Sequence, residues 1–263
     1  MKYFLFLSLF LCLSSFNAKA QTPDHSAFLK RVFVDSHGIQ LPYRVLFPEN
    51  YDRLKKYPVI LFLHGAGERG TDNEKQLVHG GDLFLKNRTA FPAIVLIPQC
   101  PPKWWWPNII VNMDTSPFGI DLNYARRITP PLEAAIELLK HYQKTEAVDL
   151  SRVYIMGMSM GAMGTYEAIS HYPNLFTAAI AICGAADEKH FQANPNMAFW
   201  IFHGVADPTV DVNESRKIRD KLIELNRSVK YTEYPGVGHA SWDPAFAEPN
   251  LLPWLFSQSR SLN

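Results

Sequence analysis

Gly157-Met158-Ser159-Met160-Gly161 sets a serine between two glycines. The apolar run Val153-Tyr154-Ile155-Met156 precedes it and the helix-forming stretch Ala162-Met163-Gly164-Thr165-Tyr166-Glu167 follows. A strand–turn–helix bend of this kind projects a hydroxyl at the edge of a sheet, because glycines two residues to either side relieve its clashes. The helix start beneath favours developing negative charge. The motif alone is a weak signal, since an ordinary tight turn carries the same residues. The strand before and the helix after give it weight.

A serine hydroxyl is a poor nucleophile until a base takes its proton. Of the nine histidines, only His239 lies beyond the candidate acids, in Gly236-Val237-Gly238-His239. Flanking glycines allow that loop to carry the imidazole over Ser159. His203 ends an apolar run and reads as a satisfied core residue, while His64 belongs to a glycine-rich loop. The acid expected to orient the imidazole and stabilise imidazolium is Asp207. It follows a buried run in His203-Gly204-Val205-Ala206-Asp207-Pro208, with Asp211 and then Asp187 as rivals. The developing oxyanion needs N–H donors. Met160 supplies one, and the loop His64-Gly65-Ala66-Gly67 the other, from Ala66 or alternatively Gly67. The chemistry these residues suit is acyl transfer to Ser159.

Elements that would position them alternate along the chain. Residues 30–36 and 39–47 read as a hairpin about His37-Gly38. Residues 57–63, 93–98, 153–156, 178–182 and 198–203 are continuous apolar runs, as buried parallel strands are, and 229–234 reads as an edge strand. Residues 132–143, 160–170 and 215–225 read as helices, the first opened by Pro130-Pro131. Strands alternating with helices predict an α/β fold with a mainly parallel sheet. Residues 184–196 leave no room for a large cap domain. Residues 100–129 show no clear period and carry Trp104, Trp105 and Trp106; loops this long are often functional.

These blocks together resemble the carboxylesterase and feruloyl-esterase-like branch of the α/β-hydrolases, a branch that also includes proteins described as peptidases. Leu63-His64-Gly65-Ala66-Gly67-Glu68-Arg69-Gly70 looks like its oxyanion loop, and Asp149-Leu150-Ser151-Arg152 leading into Ser159 like its elbow. His203-Gly204 with Asp207, and Gly238-His239 with Trp242, are similar to the remaining blocks. The likeness covers roughly residues 57–242. It implies an α/β-hydrolase fold without a large cap, a triad of Ser159, Asp207 and His239, and no metal or organic cofactor. It also implies a strand order 1-2-4-3-5-6-7-8, which would hold Cys100 and Cys183 about three strand spacings apart, too far for a disulfide. Two free thiols are expected.

Bulk properties bound the partners. Hydrophobic residues make up 47% of 263, enough for a large core, and the formal charge is +1. No basic run points to nucleic acid. Met1-Lys2, the apolar stretch 3–16 and Ala18-Lys19-Ala20 read as a secretory signal over residues 1–20. A membrane anchor would need about 20 apolar residues. The expected product is a secreted or periplasmic hydrolase, residues 21–263 as one catalytic domain, without stable membrane insertion. Its expected substrate is a small-molecule or polysaccharide-linked carboxylic ester, with feruloyl or acetyl groups on plant polysaccharides as candidates. Trp104, Trp105, Trp106 and Trp242 are candidate substrate-binding residues, since aromatic faces stack on sugar or phenolic rings. They could equally pack the loop onto the domain. A peptidase on the same fold and a non-catalytic binding protein are the alternatives.

Overall fold

A computed structural model describes residues 24–262; the expected signal, residues 1–20, lies outside the described residues. The chain enters through an antiparallel pair, β1 (Leu29–Val34) and β2 (Gln40–Leu46). The turn between them needs Gly38, whose φ is 82°. Then follow β3 (Tyr57–Leu63), the short helix α1 (Gly81–Lys86), β4 (Ile94–Pro98), and a small pair, β5 (Ile109–Asn112) and β6 (Gly119–Leu122). The second half alternates: α2 (Pro130–Thr145), β7 (Val148–Met158), α3 (Met160–His171), β8 (Ala178–Ile182), β9 (Ala198–Gly204), α4 (Val212–Glu224), β10 (Ser228–Tyr234), α5 (Trp242–Phe246) and α6 (Leu251–Ser257).

Eight strands form one sheet in the order β1-β2-β4-β3-β7-β8-β9-β10, the order expected. Pairs from β4 to β10 are parallel, and β2 joins β4 antiparallel. The apolar runs are continuous because both faces are covered. On β3, Val59, Leu61 and Leu63 join the core beneath α2 and α3, while Ile60 and Phe62 join the core beneath α5 and α6. On β9, Phe199 and Ile201 face the first core, and Trp200 and Phe202 the second. Each such side chain contributes about 1.5–3 kcal/mol when fully buried. No helix among the described residues is long and apolar enough to cross a membrane.

Two departures from the sequence reading bear on function. Residues 100–129 are not irregular throughout: β5 and β6 form a two-stranded sheet of their own. And α4 begins at Val212 rather than 215, because Asp211 caps it, its side chain accepting from Asn213 N–H. The short helices α1, α5 and α6 also went unread. Residues 184–196 link β8 to β9 without a cap.

Candidate active site

Ser159 sits between β7 and α3 with φ 52° and ψ −120°, a conformation that L-residues rarely hold. Its surroundings are backbone. A Cβ on Gly157 would stand 2.2 Å from the Gly161 carbonyl oxygen, and one on Gly161 1.9 Å from that of Leu63. Both positions therefore demand glycine, as the motif implied. Ser159 N–H donates to Ile182 O at 2.8 Å, pinning the turn to β8. Met160 opens α3, where amides have no partner within the helix.

His239 comes from the loop after β10. His239 Nε2 lies 2.9 Å from Ser159 Oγ, and Nδ1 lies 2.7 Å from Asp207 Oδ2. The two loops carrying His239 and Asp207 are zipped together: Val205 N–H donates to Tyr234 O and Ala206 N–H to Val237 O, each at 3.0 Å. Gly204 permits the approach, since a Cβ there would meet the Gly238 carbonyl oxygen at 2.3 Å.

Asp207 is buried and fully bonded. Oδ1 accepts from the N–H groups of Thr209 (2.8 Å) and Val210 (3.0 Å). Oδ2 faces His239 and also His203 Nε2 at 3.2 Å. Burial alone would raise this carboxyl, but the hydrogen bonds from His203 and His239 and the charge of His239 hold it well below the usual carboxylate range. His203 is thus more than the core residue the sequence suggested. Its Nδ1 meets Ser215 Oγ at 2.6 Å, and its Nε2 also donates to Val210 O at 3.0 Å. The rival acids are elsewhere: Asp211 caps α4, and Asp187 accepts from Tyr124 N–H and pairs with His190.

Ala66 and Met160 both line a slot beside Ser159, whereas Gly67 is exposed. The Ala66 loop is braced from below. His64, fully buried, donates from Nδ1 to Gly65 O (2.7 Å) and accepts Cys100 N–H at Nε2 (2.9 Å). Burial pushes His64 down to about 4, so it stays neutral. Arg69 Nε donates to Ala66 O at 2.9 Å, and its guanidinium lies 4.3 Å from the Trp105 ring centre.

The four candidate tryptophans separate. Trp105 lines the slot by Ser159. Trp242 sets its ring edge-on to His239, centroids 5.5 Å apart. Trp104 faces a different cleft with Asp35, His37 and Thr129. Trp106 must be corrected: it has no exposed surface, donates from Nε1 to His64 O (3.1 Å) and packs against Gly164 of α3. It supports the loop of residues 64–67 and presents no face to a ligand. The far wall of the slot, which sequence reasoning missed, comes from the β5–β6 hairpin. The run Ile109-Ile110-Val111 is too short to mark it.

Cys100 and Cys183 are free and buried, and burial pushes the Cys100 thiol up to about 12. Cys183, Asp207 and His239 bring ligand-type atoms within 4.8 Å, but Asp207 and His239 are already bonded to each other. Asp35, His37 and Glu137 form a second such group, in which Asp35 and Glu137 accept backbone N–H groups of the β1–β2 turn.

A model of the phospholipase/carboxylesterase family matches residues 50–248. Among solved structures, a thermostable esterase superposes with TM-score 0.79 and 36% identity, over 90% of this chain and 64% of that one. A CE1 ferulic acid esterase from Anaeromyces mucronatus superposes with TM-score 0.59 over 86% of this chain and 89% of that one; at 17% identity the likeness is one of fold. An uncharacterized secreted protein of Arthroderma benhamiae is 28% identical over 221 residues, 72% of this chain and 22% of that protein. The chain therefore spans about a fifth of that relative and just under two thirds of the thermostable esterase.

Proposed function

The chain belongs to the phospholipase/carboxylesterase family of α/β-hydrolases, and from that premise we propose that it is a secreted serine hydrolase cleaving carboxylic esters through an acyl-enzyme. The observation that carries this reading is the relay from Ser159 Oγ to His239 Nε2 (2.9 Å) and from His239 Nδ1 to Asp207 (2.7 Å). Ser159 attacks the ester carbonyl as His239 takes its proton. Asp207, ionised and buried, keeps the Nδ1 proton in place and stabilises the imidazolium. The amides of Met160 and Ala66 hold the oxyanion, each donor contributing about 3 kcal/mol to the transition state. Imidazolium then gives its proton to the departing alcohol. Water, activated by the same imidazole, releases the acid and restores Ser159.

A fluorophosphonate probe and p-nitrophenyl acetate test the reading on purified protein. The intact chain should be labelled and turn over, and Ser159→Ala should lose labelling with kcat lower by about 10⁵–10⁶. An unlabelled intact protein, or a Ser159→Ala variant as fast as its parent, would overturn it. Secretion rests on residues 1–20 and predicts mature protein beginning at Gln21, read by N-terminal sequencing of material recovered outside the cytoplasm.

A further inference from the structure

We infer that the β5–β6 hairpin selects the acyl group, and that the site takes esters of compact apolar acids of about two to four carbons. The inference rests on the esterase reading and adds a substrate class to it.

Direction comes first. The departing alcohol must receive its proton from His239 Nε2, so the alcohol lies on the His239 side. That side carries Trp242, which opens onto a groove of about 620 Å³ edged by His79, Asp82 and Asp243. The slot that contains Ser159 and both proposed oxyanion residues, Ala66 and Met160, shares no lining residue with that groove. The acyl chain points there.

Size and chemistry follow. The slot has a cavity volume of about 70 Å³, where one water needs about 10–15 Å³ on the same measure. Ile109, Val111, Phe118 and Ile120 of the hairpin region form one wall, and Met163 and Val210 face them. Such a lining suits a short aliphatic acyl chain and exposes almost no polar surface to a phenolic hydroxyl.

The wall is fixed at both ends. At the base, Glu167 of α3 accepts from Asn108 N–H and Nδ2–H, each at 2.6 Å, and Asp187 accepts from Tyr124 N–H at 3.0 Å. At the tip, Phe118 N–H donates to Thr209 O and Ser116 Oγ to Pro208 O, each at 2.9 Å. Those acceptors immediately follow Asp207. The hairpin is therefore tied to the nucleophile helix and to the acid loop, and its width is set by them.

A kcat/KM series on p-nitrophenyl acetate, butyrate and octanoate, with methyl ferulate alongside, tests the inference. The parent should prefer acetate or butyrate, with octanoate and ferulate at least tenfold lower. Phe118→Ala should raise the octanoate-to-butyrate ratio about tenfold by opening the slot. Met113→Ala, at an exposed position of the same lining, should raise it less and guards against loss of the Phe118 tether. A parent that prefers octanoate or ferulate overturns the inference. So do variants that lower every ester by one common factor. A labelled, active enzyme with a flat chain-length profile sinks the hairpin reading alone; absence of both labelling and hydrolysis sinks the esterase reading with it.

Discussion

The nucleophile turn and the β5–β6 hairpin face each other across one slot, and their attachments differ in kind. Around Ser159 the contacts are backbone against backbone, with Gly157 and Gly161 leaving no room even for a methyl group. The hairpin forms a sheet of its own, held by hydrogen bonds from Asn108, Ser116, Phe118 and Tyr124 and by Ile109, Ile120 and Leu122 packing on Met163, Ala185 and Val210. An isolated two-stranded pair is marginal in water, so those tethers and the apolar wall hold it. The part proposed to perform the reaction is built into the core. The part proposed to choose the substrate is fastened onto it.

The contrast is tested most severely at the acid. Asp207→Asn should lower kcat on p-nitrophenyl acetate by about 10⁴, through loss of the charge that holds the His239 tautomer. Asn108→Ala, at the hairpin base, should leave kcat on the same ester within about tenfold. Comparable losses from both would break the distinction.

Stability gives a smaller effect. Gly161→Ala must push a methyl into the Leu63 carbonyl and should cost more than about 3 kcal/mol in chemical denaturation. Gly119→Ala on β6 would meet the Asn112 side chain at 3.2 Å and should cost less than about 1 kcal/mol. Equal costs would show the hairpin to be packed as tightly as the elbow.

The smallest effect concerns the buried tether. Burial pushes Glu167 up to about 7 from 4.5, against the pull of its Asn108 hydrogen bonds. Between those values the folded protein holds more protons than the unfolded chain, so this group's contribution to stability falls as pH rises through the window. The fall in Tm from pH 5 to pH 7.5 should therefore be several degrees larger in the parent than in Glu167→Gln. His64, lowered to about 4 from 6.5, works in the opposite sense but is common to both proteins. A Tm difference that does not change with pH would remove the carboxyl as its source.

Much of the site was legible because its requirements are local. Only glycine fits at 157 and 161, and strands covered on both faces must be apolar throughout, so the elbow and the central strands stand out by eye. Asp211 stood as a rival acid because the helix was expected only from residue 215; its role as a cap shows once α4 is seen to start at Val212. The hairpin was not legible, since each strand has four residues and the alternation of half-buried Ile109 and Val111 with exposed Ile110 and Asn112 is too brief to show a period. Trp105 and Trp106 are adjacent and chemically alike. What sends one to the slot and the other into the core is Gly164, on a different element. The contact of His203 with Asp207 likewise exists only once the loop after β9 has folded back. Pro244 and Pro253 stand inside α5 and α6 and masked two short helices.

Ser159 stands at φ 52° and ψ −120°, a sparsely populated state that costs a side chain bearing a Cβ about 1–3 kcal/mol. Glycine would sit there at ease. A copy of this chain released from any need to turn over substrate would gain heat resistance by exchanging that one serine for glycine, so robustness and reactivity pull the same residue in opposite directions.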